Sequence, residues 1–207
     1  SSDLSGYFNN VGKTKRQGLE IGLAGDLGKF RWNAGYSYVD ATYQTDLTMS
    51  AESNSTADGS SNISIKKGNS IPLIPEHQLK LRGQYSFTPQ WTVGANLITF
   101  SDQYVRGNEN NAHQTGSIQE TVSFDKGKIP GYSVVNLDTN FNAGNGWKFF
   151  AKINNIFDRQ YYTSGMLGST HFIDEAARAW SKENFGATFV SPGAPRAGWI
   201  GVRYEFG

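Results

Sequence analysis

Apolar and polar positions alternate with a period of two along seven stretches of this chain. Successive side chains on a strand point to opposite faces, so each stretch reads as a strand with one apolar and one more polar face. The clearest is 77–88, where Leu79, Leu81, Gly83, Tyr85 and Phe87 oppose Gln78, Lys80, Arg82, Gln84 and Ser86. Residues 14–24 carry Leu19, Ile21 and Leu23 on one face; 30–41 carry Phe30, Trp32, Ala34, Tyr36 and Tyr38. In 91–100 one face holds Trp91, Val93, Ala95 and Leu97, while the other includes Ile98 and Phe100 and is less polar. Residues 132–143 set Val135, Leu137, Thr139 and Phe141 against Asn136, Asp138, Asn140 and Asn142. Residues 147–157 carry Trp147, Phe149, Ala151 and Ile153, and 196–206 carry Ile200, Val202, Tyr204 and Phe206.

The connections alternate in length. Those at 25–29, 88–90 and 144–146 are short; those at 42–76, 101–130 and 158–195 are long and polar. Within the first long one, 50–62 has no apolar periodicity and reads as a solvated loop. In the last, Asp174 can cap a short helix ending before Gly186, with Trp180 anchoring its one apolar patch; packing of the loop onto the barrel rim is favoured over a lid above the ligand. A meander with short turns at one end and long loops at the other is the pattern of an antiparallel transmembrane β-barrel, turns periplasmic and loops extracellular. A small soluble barrel alternates in the same way with its faces reversed. The membrane reading is favoured by aromatics near strand ends, which suit an interfacial girdle: Phe30, Tyr38, Phe87, Trp91, Trp147, Tyr204 and Phe206. Arg31, Lys80, Arg82, Lys148, Lys152 and Arg203 on the polar faces suit a wet lumen.

Composition narrows the classes further. The chain has 207 residues, a net charge of +1, 24 glycines and no cysteine. No apolar run reaches the roughly 18 residues of a membrane helix, a criterion that barrel strands never meet. Without cysteine there is no disulfide framework and no thiolate metal site. The charge balance gives no reason to expect nucleic acid. His77, His113 and His171 lie far apart and no hydrolase, phosphate-loop or zinc motif occurs, so no enzyme is expected. Glu20 and Asp40 lie on neighbouring strands; paired carboxylates can cleave a glycoside, but they read better as lumen charges paired with Arg31 or Lys15. Asp102, Asn108 and Glu109 lack calcium-loop spacing and read as solvated.

The long loops hold the candidate ligand residues. Arg106 can hold a carboxylate or catecholate oxygen, and Tyr104 can stack on a flat ligand. The competing and favoured reading makes Tyr104 a girdle residue and Arg106 a rim charge near lipopolysaccharide. Tyr161, Tyr162, His171 and Arg178 are further candidates.

Four stretches carry a family resemblance. Ile153-Asn154-Asn155-Ile156-Phe157-Asp158-Arg159-Gln160-Tyr161-Tyr162 resembles the N-L-F-D-x-x-Y motif of TonB-dependent outer-membrane receptors. The run from Thr14 to Glu20 resembles their T-x-x-x-G-x-E strand opening, the run from Tyr36 to Tyr43 their S-Y-x-x-x-D-A-x-Y strand end, and Pro130-Gly131-Tyr132 a later P-G-Y. Gly201, Tyr204 and Phe206 resemble the terminal assembly signal of outer-membrane proteins, with Gly207 as one added residue; Tyr204 and Phe206 read equally well as outward strand residues.

The resemblance implies a barrel of about 22 strands enclosing a plug. Seven strands with the last running toward the periplasm need an upward strand before Thr14. The expectation is therefore that 1–207 is the C-terminal segment of such a barrel, with the plug and its TonB-contacting box outside this chain. The implied function is TonB-dependent uptake of a scarce nutrient, most commonly an iron–siderophore complex, with cobalamin, haem and glycans open. The implied partners are outer-membrane lipid and lipopolysaccharide, the ligand, the TonB complex through the plug, and the barrel assembly machinery; no cofactor is implied. The alternative is a small self-contained outer-membrane barrel with an adhesive or structural role.

Overall fold

The computed structural model of the chain describes residues 12–114, 127–174 and 179–206. In chain order the strands are β1 (Thr14–Leu27), β2 (Phe30–Tyr43), β3 (Leu47–Ser50), β4 (Asn62–Ile65), β5 (His77–Ser86), β6 (Trp91–Phe100) and β7 (Gln103–Tyr104). They continue with β8 (Lys128–Ile129), β9 (Tyr132–Gly144), β10 (Trp147–Asn154), β11 (Tyr162–Asp174), β12 (Ala179–Pro192) and β13 (Ala197–Tyr204). The seven strands expected from alternation form one antiparallel sheet in the order β1-β2-β5-β6-β9-β10-β13. The other six pair off as three small sheets inside the long loops, termed L1 (44–76), L2 (101–131) and L3 (155–196).

Register keeps the two faces separate. Ala34, Leu81, Leu97 and Val135 lie opposite one another across β2, β5, β6 and β9, and Asn33, Arg82, Asn96 and Asn136 form a parallel row on the other face. A slip of one residue in any strand would exchange the faces. The apolar face stays open: Leu23 is 58% exposed, Val202 55% and Phe206 89%. An outward apolar wall of this extent is a lipid-facing one.

The tight turns carry the backbone chemistry that hairpins require. Asn145 and Gly146 between β9 and β10 have φ of +50° and +82°, as a two-residue primed turn demands. A side chain on Gly146 would run into the carbonyl of Glu205 beside it.

β1 and β2 are 14 residues each, longer than the roughly 9–11 needed to cross a bilayer. Their surplus lies at the loop end, where Gln17 Nε2 donates to Asp40 Oδ2 at 2.9 Å. Asp40 is opposite Gln17 and Glu20 is opposite Ser37 in register, so the two carboxylates point to opposite faces and form no pair. Arg31 bonds Asp26 rather than either of them.

The two buried apolar clusters sit at the loop end of the sheet, built mostly from loop residues. Tyr43, Ile63 and Ile65 form one cluster and Val105, Ile129 and Leu167 another. The segment 50–62 connects the two strands of the β3–β4 hairpin; most of it is exposed loop, as expected, and Asn54 is its buried residue. The helix expected near 174–184 is not formed among the described residues: 179–186 is strand, paired with β11, and 175–178 lie outside the described residues. An isolated helix of that length is marginal, whereas a long hairpin partners its backbone groups along both arms. Strand β10 stops at Asn154, earlier than its pattern suggests, because Asn155 turns to a φ of +49°.

Candidate ligand vestibule

The three loops pack on one another, with L2 between its neighbours. Gln103 Nε2 donates to Thr163 O at 3.0 Å, and Arg106 N donates to Gly165 O at 3.0 Å while Leu167 N donates to Arg106 O at 2.7 Å, joining L2 to L3. On the other side, Asn54 Nδ2 donates to Gly107 O at 2.8 Å and Leu73 N to Tyr104 O at 2.9 Å. Ser55 N donates to His113 Nδ1 at 3.0 Å, and His113 N donates to Asn108 Oδ1 at 3.0 Å. Burial pushes the His113 pKa below its ordinary value. Asn108 is fully buried and Glu109 nearly so, with Oε1 taking the Gly107 N–H, while Asp102 pairs with Lys128 at 2.8 Å. The three side chains read as solvated thus have structural partners.

Lys128 Nζ sits 4.4 Å from the centroid of the Tyr104 ring. Burial lowers the Lys128 pKa, but Asp102 and Tyr104 outweigh it and the net shift is upward. One face of the Tyr104 ring is therefore taken by Lys128. Arg106 is exposed, and its guanidinium makes no hydrogen bond or ion pair among the described residues.

The N-x-F-D-x-x-Y stretch closes the base of L3. Asn155 is 2% exposed. Its N–H donates to Asn136 Oδ1 on β9 at 2.8 Å, and its Nδ2 donates to Arg159 O and Ala194 O at 2.9 and 3.1 Å. Its Oδ1 accepts from Arg159 N at 2.9 Å. Asp158, also left-handed at +51°, accepts from Arg196 N at 2.9 Å. Asparagine and aspartate tolerate that region and bond locally, which is why they serve here. The spacing of these residues was visible in sequence; the partners, nearly forty residues away, were not.

Beside this clamp Tyr161 packs at a tilt on Tyr132, ring centroids 4.6 Å apart, and Tyr132 likewise on Phe100 at 5.2 Å. Phe100 and Tyr132 are paired across β6 and β9 on the face that also carries Asn96 and Asn136. This aromatic group therefore lines the polar face at the loop end. A side chain on Gly193 would strike the Tyr161 ring, which lies flat on that backbone. A cavity of ≈ 340 Å³ beside it is lined by Arg159, Gln160, Tyr161, Tyr162 and Pro195 among others. Tyr162 also packs on the core of Val105, Ile129 and Leu167. His171 lies on the outer part of β11, and Arg178 lies outside the described residues. The vestibule thus brings Tyr161 together with Phe100 and Tyr132, which sequence reasoning did not single out.

The family model for the TonB dependent receptor-like β-barrel matches residues 1–156. The chain belongs to this family. A probable TonB-dependent siderophore receptor, PiuA of Acinetobacter baumannii, is 29% identical over 171 residues, covering 82% of the chain and 20% of the relative. The metal-pseudopaline receptor CntO of Pseudomonas aeruginosa is 22% identical over 192 residues, covering 92% and 21%. The crystal structure of the A. baumannii siderophore receptor PiuA superposes with a TM-score of 0.64 at 20% identity, covering 94% of this chain and 22% of that one. The ferric yersiniabactin uptake receptor FyuA of Yersinia pestis gives 0.60 at 13%, covering 95% and 24%. The chain spans about a fifth of the length of these relatives. Membership of the TonB-dependent receptor family places the sheet in the outer membrane of Gram-negative bacteria.

Proposed function

We propose that this chain is the C-terminal barrel segment of an outer-membrane receptor that takes up a scarce nutrient, an iron–siderophore complex, through a plugged barrel driven by the TonB complex. The observation that carries this reading is the aromatic group of Phe100, Tyr132 and Tyr161 on the polar face at the loop end, with Arg159 lining the adjoining cavity and Arg106 exposed on L2. Stacked rings suit a flat aromatic chelator, and a guanidinium suits its anionic oxygens. Two relatives whose descriptions name siderophore or metal receptors support the same class. In this reading the plug lies outside the chain and carries the TonB contact. His171 and Arg178 on L3 are further ligand candidates, and Tyr104 acts indirectly by holding Lys128.

The outward aromatics complete the picture. Phe87 with Trp91, and Trp147 with Tyr204 and Phe206, cluster at the short-turn end; Tyr38 stacks on His77 at the other. We assign these two belts to the girdles, the upper facing lipopolysaccharide. Gly201, under the Phe150 ring, with Tyr204 and Phe206 is assigned to the signal read by the barrel assembly machinery.

The test is binding of a ferric catecholate, the iron complex of 2,3-dihydroxybenzoate, to the full-length receptor. Tyr161→Ala and Arg106→Ala should each weaken binding about tenfold, the scale of one lost stack or charged hydrogen bond. Unchanged affinity in both variants would remove the vestibule assignment.

A further inference from the structure

On the polar face, β10 and β13 carry two large rings where the neighbouring strands carry amides and charges. Phe150 of β10 lies opposite Asn140 of β9 and Gly201 of β13, and Trp199 of β13 lies opposite Lys152. Both rings are open to the lumen: Phe150 is 39% exposed and Trp199 46%. A side chain on Gly201 would strike the Phe150 ring, which therefore lies flat on that backbone and turns its other face inward. Lys152 Nζ stands 5.5 Å from the centroid of the Trp199 ring. No carboxylate neutralises it. Asp138, its neighbour in register, is held through both oxygens by Arg82. Arg203 lies opposite Lys148 on the same face, and Glu205 is bonded by Lys148 at 2.7 Å. Lys152 and Arg203 thus form no ion pair among the described residues.

We propose that Phe150, Trp199, Lys152 and Arg203 form a second site for an anionic aromatic metal chelate, a transit site deeper in the lumen. This rests on the uptake of such a chelate proposed above. The chemistry of the vestibule recurs here. There Tyr161 lies flat on Gly193 and Arg159 lines the adjoining cavity; here Phe150 lies flat on Gly201, with Lys152 and Arg203 on the same wall. Rings take a flat chelator and cations take its anionic oxygens. The wall around them is made of amides and closed ion pairs, which water or any polar surface satisfies. Two rings with two uncompensated cations select a ligand that is both aromatic and anionic. Depth makes the site a separate one. Asp138, level with Lys152, is six residues along β9 from Tyr132, about 20 Å of strand at roughly 3.4 Å per residue. One small chelate touching Tyr132 does not reach it. Passage needs sites that bind and also release. The vestibule packs three rings together and the deeper site offers two, so the hold weakens in the direction of transport.

The experiment measures binding and uptake of the radio-iron complex of 2,3-dihydroxybenzoate by cells carrying the full-length receptor, with rates taken per receptor in the outer membrane. Lys152→Gln and Trp199→Leu should each lower the maximal rate of uptake about three- to tenfold, the scale of one lost cation–ring or stacking contact. Affinity at the vestibule should stay as in the wild type. Trp199→Phe keeps a ring and should restore most of the rate. Gln84→Ala, on the polar face of β5, should change neither quantity. Two chemically different variants keep the test from resting on the folding of one. Faster proteolysis of the plug in the purified variants overturns the proposal, because it assigns these side chains to holding the plug. Binding by the wild type with unchanged uptake in both variants removes this site alone. Absence of binding by the wild type removes the ligand class, and this site with it.

Discussion

The side-chain amide of Asn155 donates to the carbonyl of Ala194 at 3.1 Å and so ties the outgoing end of L3 to its returning end. The same side chain exchanges two bonds with Arg159, and its backbone N–H holds Asn136 on β9. This is the physical content of the asparagine in the family motif. Asn155→Ala takes the side-chain donor from the Arg159 and Ala194 carbonyls and puts a residue without local bonding at a positive φ. We expect a loss of about 1–3 kcal/mol, read as faster proteolysis within L3 and a lower midpoint of thermal unfolding. An unchanged cleavage rate would show that L3 is held elsewhere.

Arg82 Nη2 reaches both oxygens of Asp138, at 2.8 and 3.0 Å, across the intervening strand β6. Gly94 makes that span possible, because a Cβ there would strike both partners. Gly94→Ala should destabilise the barrel by about 1–3 kcal/mol through overpacking. In a double-mutant cycle the cost should shrink when Arg82 is first replaced by Gln, since the clash then has a neutral and shorter partner. Additive costs would contradict the mechanism.

His113 joins L1 to L2 only while its Nδ1 can accept the Ser55 N–H, which requires the neutral ring. Ser55, Asn108 and Gly127 pack around it, and none of them carries a charge. Burial lowers its pKa, so the unfolded or opened ring, near about 6.5, binds a proton first. The stabilising bond is fully present above about pH 6.5 and is lost as the pH falls through the lowered value. Hydrogen exchange of 54–56 and 108–114 should rise between about pH 7.5 and about pH 5, beyond the intrinsic change. His113→Asn, which keeps an acceptor that does not titrate, should abolish the rise.

Ile65 is fully buried against Tyr43 and Ile63. Ile65→Ala should cost about 2–5 kcal/mol locally. Because the sheet gives the buried centre of this core only Tyr43, the last residue of β2, the loss should appear as proteolysis within 44–76 while the barrel's own melting is preserved. A matching fall in barrel stability would show that L1 and the sheet unfold together.

The periodicity of two was enough, by itself, to determine the seven membrane strands, their two faces and the rhythm of short turns and long loops. An alternating segment such as 77–88 shows its faces without reference to any partner, and Asn145-Gly146 announces its turn locally. Local signals were also enough for the family. They were not enough for the loops. The isoleucines of 62–65 are too few to show a period, and they become a core only when Tyr43 closes on them. The capping pattern at Asp174 is outweighed by pairing with 179–192, a tertiary fact. Glu20 and Asp40 were separated by register, Tyr104 was occupied by a lysine 24 residues away, and Tyr161 was turned inward onto Tyr132 by a clamp spanning L3. Strand identity is a local property of side-chain period. A vestibule is made of contacts between loops remote in sequence, and only the folded chain decides which of them meet.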